Sequence, residues 1–306
     1  MAWLVGTTLV AGLACSSQPR AVDWAATGDR AAFPAPLTVD NATAIAANLT
    51  YLYWITADGF LYRAPRAGGE VARVALPAPG TLVAVHDDIY VGWTDDSGNA
   101  AVADIDPATG TVTAVNHQAG ALSALVAGRR GYSFATVAPD GTLVQTCFDG
   151  VCPAPADIKS DYKSLALDLT TETYYVLTDD GLRTCAVNGG CPVEADTTPA
   201  ATTLVWALPS TYFLVDSNGQ VSAKGGSPNL GSAAAPGPTK FMADDGNGQI
   251  PSPVGTWSNG SQLAQSVLDP GATTTELAVA CTDFDVDVTG RPIYCLVGGS
   301  TVQVIP

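Results

Sequence analysis

Residues 51–63, YLYWITADGFLYR, decide the fold. Aromatic and β-branched residues flank a turn that contains Asp58 and Gly59, a pattern that is typical of a β-hairpin. The pattern returns as IYVGWTDDSGNAAVADI (89–105), YSFATVAPDGTLVQTC (132–147), YYVLTDDGLRTC (174–185), YFLVDSNGQVSA (212–223), VGTWSNGSQLAQSV (254–267) and IYCLVGGSTVQVI (293–305). The turn glycines lie 38 to 43 residues apart: Gly59, Gly98, Gly141, Gly181, Gly219, Gly260 and Gly299. The chain is therefore a sevenfold repeat.

A repeat of this length predicts the architecture. Each unit is too small to bury its own apolar face, so neighbouring units must stack on one another. A short apolar strand precedes each hairpin, as in TLVAV (81–85), and a weaker strand follows, as in VARVAL (71–76). Four strands per repeat without helical periodicity predict an all-β fold, a seven-bladed β-propeller with four-stranded antiparallel blades. A six-bladed propeller is the alternative.

The composition agrees with a large β protein. Of the 306 residues only 14% are charged, the net charge is -16, and there are 31 glycines and 21 prolines. Disorder is excluded because it requires low hydrophobicity and dense charge, and no collagen or heptad period occurs. Thirteen Lys and Arg residues spread over the chain form no basic face, which excludes a nucleic-acid partner.

The seventh repeat ends without an outermost strand. We expect the N-terminal segment to supply it, and the interval between repeats places that strand at residues 32–37, AFPAPL. Prolines are tolerated in an outer edge strand and are poor in a central one. The same prolines could equally mark a linker between the lipid anchor and the ring. The predicted domains are an export signal at 1–14, a lipid-anchor tether at 15–31 and a single propeller at 32–306.

The N-terminus predicts export. Residues 1–14 are uncharged, too short to span a bilayer, and lead directly into Cys15. This segment resembles a bacterial lipoprotein signal peptide, which implies lipidation of Cys15; an ordinary signal cleaved after Gly12-Leu13-Ala14 is the alternative. The expected location is the bacterial outer membrane or cell surface, or otherwise the periplasm or medium. Contact with the membrane would then be through the anchor alone.

The six remaining cysteines form three predicted disulfides. Two pairs bracket short glycine-containing turns, and opposed residues in a hairpin lie within disulfide range. The pairs are Cys147–Cys152, Cys185–Cys191 and Cys281–Cys295. A four-cysteine zinc site is the alternative, but its usual spacing of paired ligands is two to four residues, and an exported chain is in an oxidising compartment.

The first hairpin also resembles a known repeat. The run from Tyr53 to Thr56, followed by Asp58 and Gly59, is similar to the repeat of YWTD propellers such as those of low-density-lipoprotein receptors. The whole chain also resembles the β-propeller lipoproteins of bacterial envelopes. Both resemblances imply the propeller fold and leave the activity open.

No catalytic motif stands out, and the two histidines, His86 and His117, are expected in surface loops. Aspartates at alternate positions of the last inner strand should face the central channel, with Asp168 of the fourth repeat at the same level. The predicted cation or ligand site is Asp168, Asp283, Asp285 and Asp287. Its carboxylates suit Ca²⁺, although waters and backbone amides can satisfy them equally well.

The sequence therefore favours a non-catalytic, exported scaffold that binds a protein, peptide or glycan at the cell envelope. No other cofactor is expected. The alternative is an envelope enzyme, a lyase or hydrolase that uses acidic residues at the channel mouth. A purely structural envelope component is a third possibility.

Overall fold

The structure is a computed structural model. It describes residues 24–128, 130–168, 173–186, 191–192, 202–208, 211–223, 227–232, 238–244, 253–268, 273–277, 279–286 and 292–306. The predicted export signal at 1–14, the proposed lipidation site Cys15 and Asp287 of the predicted acidic site lie outside these residues.

The first sheet, blade one, has five strands. Two strands precede the first hairpin, β1 (Ala25–Ala31) and β2 (Leu37–Thr38). The first repeat then forms β3 (Ala42–Ala47), β4 (Tyr51–Thr56), β5 (Phe60–Pro65) and β6 (Gly69–Ala75). Strand β1 pairs antiparallel with β6, so the spatial order from the channel outward is β3-β4-β5-β6-β1.

Blades two and three each have four strands. Blade two consists of β7 (Leu82–Val85), β8 (Ile89–Thr94), β9 (Ala100–Ile105) and β10 (Val112–Gln118). Blade three consists of β11 (Ala121–Gly128), β12 (Gly131–Ala138), β13 (Gly141–Phe148) and β14 (Ala156–Ile158). In both blades the strands pair in chain order from the inside outward.

The remaining repeats form blades four to seven. Blade four has β15 (Tyr162–Asp168), β16 (Thr173–Thr178) and β17 (Gly181–Ala186) within the described residues. Blade five has β18 (Thr202–Leu208), β19 (Thr211–Asp216), β20 (Gln220–Ala223) and β21 (Ser227–Ser232). Blade six has β22 (Lys240–Asp244), β23 (Val254–Ser258), β24 (Leu263–Val267) and β25 (Thr275–Leu277). Blade seven has β26 (Asp283–Val286), β27 (Ile293–Val297) and β28 (Thr301–Ile305), completed by β2.

The seven sheets form a closed ring. The innermost strand of each blade contacts the innermost strand of the next, and the last one, β26, returns to β3. The seven turn glycines that define the repeat all have positive φ, between 69° at Gly299 and 132° at Gly141. Such angles are readily adopted only by residues without a Cβ, which explains the glycine at this position of each hairpin. The predicted seven-bladed β-propeller is confirmed, and the six-bladed alternative is wrong.

The core lies between the blades. One apolar cluster joins Tyr53 and Ile55 of blade one to Ile89 and Val91 of blade two. The tryptophans of the hairpins are at most 6% exposed: Trp54, Trp93 and Trp257. Each blade therefore buries both faces of its sheet, as the low charge content requires.

The N-terminal segment supplies the outermost strand of blade seven, which confirms the prediction of ring closure. The predicted bounds, 32–37, are wrong, because the pairs with β28 are Leu37↔Val302 and Thr38↔Thr301. Pro34 and Pro36 lack the N–H that a ladder requires, so pairing begins only beyond them. Residues 25–31, which the sequence analysis assigned to the tether, are instead strand β1 of blade one.

Candidate functional site

Asp283 and Asp285 lie on β26, two residues apart and therefore on one face of the strand. The Oδ2 atom of each aspartate reaches the inner strand of blade one, β3. The amide of Ile45 donates to Asp283 at 2.9 Å, and the amide of Ala47 donates to Asp285 at 2.6 Å. The two carboxylates thus bridge blade seven and blade one at the channel.

The hydrogen-bond register of β3 explains why it needs these acceptors. The amide of Asn48 donates to Tyr51 on β4, and bonding alternates along an antiparallel strand. The amides of Ile45 and Ala47 therefore face away from β4, at the free inner edge of the blade. Buried amides without a partner are costly, and Asp283 and Asp285 supply the missing acceptors.

Blade six adds a cation to the pair. The Lys240 ammonium donates to Oδ1 of Asp283 at 2.7 Å, and Oδ1 also accepts the amide of Phe284 at 2.9 Å. Burial lowers the pKa of Lys240, but attraction to Asp283 and Asp285 outweighs it and holds the pKa above its usual value. We call Lys240, Asp283 and Asp285 the seam cluster, because together they connect blades six, seven and one.

Asp285 has a perturbed acidity. Burial raises the pKa of its carboxyl to about 6, and the like charge of Asp283 acts in the same direction. Lys240 and the amides of Ala47 and Val286 oppose the rise, the latter donating to Oδ1 at 2.8 Å. Perturbed carboxyls occur in catalytic sites and in structural ion networks alike.

The predicted acidic site is brought together only in part. Asp283 and Asp285 are neighbours, whereas Asp168 is buried at the end of β15 in blade four. Among the described residues, no group of three or more His, Cys, Asp or Glu side chains is arranged to hold a metal ion. The Ca²⁺ site stays a prediction. The sequence analysis missed Lys240, although it begins the inner strand of the repeat directly before that of Asp283.

All three predicted disulfides are confirmed. Their Cα atoms lie 4.2 Å apart in Cys147–Cys152, 4.3 Å in Cys185–Cys191 and 5.3 Å in Cys281–Cys295. The zinc alternative for the first four cysteines is therefore wrong. Because the last disulfide links the residue two positions before β26 to β27, it supports the strand that carries Asp283 and Asp285.

The two histidines belong to blade two, next to blade one in the ring, and the Asn48 side-chain amide donates to the carbonyl of His86 at 3.4 Å. His86 is half-buried beside Asp87, with Nδ1 3.0 Å from Oδ1, in the turn after β7. His117 is exposed, but on strand β10, so its predicted position in a loop is wrong. The prediction failed because VTAVNHQ carries no turn signal and continues the blade by one more strand.

A second junction was not predicted at all. The Trp24 indole donates to the carbonyl of Pro107 in blade two at 3.1 Å. The Arg63 guanidinium lies 4.1 Å from the centre of the Trp24 ring and 5.0 Å from that of Tyr51, and it also donates to Pro107. Cation–π contacts of this kind fix the N-terminal arm to the junction of blades one and two.

Within the described part of the chain, no helix has the length and apolar character that crossing a membrane requires.

Comparison with known proteins supports the fold and reaches no family. No family model and no curated protein matches the chain. Solved structures do: PorZ, a surface component of the type-IX secretion system of Porphyromonas gingivalis, has a TM-score of 0.59 at 12% identity. That match covers 89% of this chain and 39% of PorZ, so this chain spans about two fifths of that structure.

Two further structures match over nearly their whole length. The WD40 β-propeller domain of Doa1 has a TM-score of 0.63 at 9% identity, covering 89% of this chain and 95% of that one. The β-propeller domain of Cps50 (Swd1) from Myceliophteria thermophila has the same score and identity, covering 89% and 98%. At such identities the likeness is one of fold, and the chain is a seven-bladed β-propeller.

Proposed function

We propose that this protein is an exported, non-catalytic propeller scaffold that binds a protein, peptide or glycan at the cell envelope and is anchored through a lipid on Cys15. The observation that carries the proposal is the seam cluster. Its two carboxylates and its ammonium bind one another and the backbone of blade one. The charged groups of the seam cluster thus support the ring, and we expect a partner at the two faces or the rim of the disc.

Two further observations support parts of the proposal. Three disulfides are typical of proteins that leave the reducing cytosol. PorZ, one of the structural neighbours, is described as a bacterial surface component of a secretion system. We favour a protein as the partner, since the structural neighbours include a WD40 domain. A peptide or a glycan is the alternative.

Lipidation is tested separately from binding. We expect cells that express the full chain to incorporate a labelled fatty acid into it, and the variant Cys15→Ser to remain unlabelled and to leave the membrane fraction. Equal labelling of the two proteins would overturn the anchor and leave the scaffold proposal in place.

Binding is tested by photo-crosslinking at two positions of blade one that lie on opposite faces of the disc. Leu49, 70% exposed, lies in the turn between β3 and β4, and Asp58 lies in the exposed turn between β4 and β5. Each position is the matched control of the other, because both belong to the same blade. We expect light-dependent adducts with a defined protein from one face. Reproducible failure at both faces and at Val115 on the rim, 37% exposed on the outer strand of blade two, would contradict the scaffold role.

A further inference from the structure

In the part of the chain that the structure describes, strand β10 leaves an open sheet edge on the rim of the disc. It is seven residues long, VTAVNHQ, and contains neither proline nor a formally charged residue. Within the described part of the chain its only paired strand is β9. Natural edge strands are usually short, charged, interrupted by proline or covered, since an open edge can pair with another chain.

The other described outer edges follow that rule. The final strands of blades three, six and seven are two or three residues long: β14, β25 and β2. The outer strand of blade five, SPNLGS, contains a proline. Blade one has a long outer strand, β6, and β1 covers it as a fifth strand. The fold therefore accepts an added strand at a blade rim. Of the other described outer edges of six or more residues, β1 contains Asp29 and Arg30, β17 contains Arg183 and β21 contains a proline, whereas β10 has neither proline nor a formally charged residue.

The alternation of hydrogen bonds shows which groups of β10 are available. The carbonyl of Asn99 accepts the amide of Asp95, so the backbone groups of Asn99 face β8. The amide of the next residue, Ala100, donates to the carbonyl of Gly120 and therefore faces β10. Ala100 and Val102 pair with Gln118 and Asn116. The backbone groups of Val115 and His117 therefore point outward from the sheet. Both residues are exposed, Val115 by 37%.

The charge around this edge indicates the chemistry of the added strand. Residues 80–119 contain no Lys or Arg and six aspartates: Asp87, Asp88, Asp95, Asp96, Asp104 and Asp106. Two of them lie in the turn beside the Gln118 end of β10, and Asp104 and Asp106 lie beside its Val112 end. An acidic strand would be repelled at both ends, and so would a second copy of this blade.

We propose that β10 is a strand-addition site that binds an extended, positively charged segment of a partner protein. Main-chain hydrogen bonds to Val115 and His117 supply the affinity, and the aspartates at the two ends select the charge. This inference rests on the proposed scaffold function and identifies the chemistry of its partner.

The test uses the full chain and a fluorescent synthetic peptide that alternates lysine with valine and threonine, with a glutamate counterpart as the matched control probe. We expect the lysine peptide to bind, to bind more weakly as salt is raised, and to protect the amides of β10 from hydrogen exchange. Absence of binding, or equal binding of the glutamate peptide, would overturn the proposal.

Two variants locate the site. Val115→Pro removes an outward amide without removing a bond to β9, and we expect at least about a tenfold loss of affinity at an unchanged melting midpoint. Asp96→Lys adds a like charge, and we expect about a threefold loss, whereas Asp140→Lys, in the equivalent turn of blade three, leaves binding unchanged. Should Val115→Pro disturb folding, the Asp96 and Asp140 pair decides alone.

Failure here can be told apart from failure of the scaffold proposal. A crosslinked partner that binds Val115→Pro as tightly as the unaltered chain would retain the scaffold and remove β10 as its site.

Discussion

Blade one meets its two neighbours in different ways. At its junction with blade two the chain itself passes from β6 to β7, and the contact is mainly an apolar cluster with the Trp24 arm added at the rim. At its junction with blade seven the chain connects the two blades through β2, a strand of blade seven that lies between β1 and β3 of blade one along the chain. This contact has hydrogen bonds at both its inner and its outer side. We call this junction the seam.

At the seam, β2 pairs with β28 on the outer side and the seam cluster bonds β3 on the inner side. Arg66, which follows β5 of blade one, adds a further bond: its Nε donates to the hydroxyl of Tyr294 on β27 of blade seven at 2.6 Å. At two other junctions an inner amide has a neutral acceptor: Val205 donates to the Ser164 hydroxyl and Leu122 to the Thr94 hydroxyl. The seam uses charged acceptors instead.

The largest effect is expected from removing the seam's apolar core. Trp54 is 3% exposed, stacks on Tyr62 and belongs to a cluster that includes Tyr294 and Val302 of blade seven. Trp54→Ala should lower the free energy of unfolding by about 3–5 kcal/mol, measured by denaturant titration. Leu49→Ala, at an exposed position, should change it by less than about 0.5 kcal/mol. A loss as small as that of the control would mean that the seam does not depend on this packing.

The polar part of the seam should contribute less. Asp283→Asn leaves the Lys240 ammonium without its closest carboxylate and leaves one fewer acceptor for the amide of Ile45. We expect a loss of about 1–3 kcal/mol, below that of a fully buried pair because Lys240 is partly exposed. Asp96→Asn, on an exposed turn, is the control. Equal stability of the two variants would show that water replaces the bonds of the seam cluster.

The other junction is tested through its arm. Trp24→Ala removes the bond to Pro107 and the ring on which Arg63 lies, and should cost about 1–2 kcal/mol. The same change should speed hydrogen exchange in β6, because β1 would no longer be fixed at its start. Trp24→Phe keeps the ring and loses only the indole donor, so its effect should be the smaller one. Unchanged exchange in Trp24→Ala would show that the pairing of β1 and β6 does not need the anchor.

A pH series separates Asp285 from the rest of the seam. The pKa of its carboxyl is raised to about 6 in the folded chain. Between about pH 6 and about pH 4 this carboxyl therefore holds a proton in the folded chain and has released it in the unfolded chain. The cost of its charged form is therefore present at pH 7 and disappears on acidification. The unaltered chain should gain stability relative to Asp285→Asn, by on the order of 1 kcal/mol, as the pH falls from 7 to 5. A constant difference would mean that Asp285 is as acidic as an exposed aspartate.

The sequence predicts the repeated parts of this molecule well and the unrepeated parts poorly. Turn glycines such as Gly59 and Gly219 follow from backbone geometry that each hairpin must adopt, so their spacing predicts blade number. Strand β1, AATGDRA, has weak strand propensity; it pairs with β6 of the first repeat and is anchored by Trp24, which contacts Arg63 of that repeat and Pro107 of the second. The partners of Asp283 lie 43 and 238 residues away along the chain, and only the closed ring brings them together.

The smallest effect is expected from calcium. The result decides whether Asp283 and Asp285 hold the blades together by themselves or bind a cation. Oδ1 of Asp283 already accepts the Lys240 ammonium, and Oδ2 of each aspartate accepts an amide of β3. A Ca²⁺ ion would have to displace that ammonium and those amides, and would leave the inner edge of blade one without acceptors. Addition of Ca²⁺ or of a chelator should therefore leave the melting midpoint unchanged to within about 1 °C, with Mg²⁺ as the control for ionic strength. A rise with Ca²⁺ that Asp285→Asn abolishes would instead mean that the seam cluster opens to admit a cation, and that blade seven is held to blade one by a metal as well as by its own side chains.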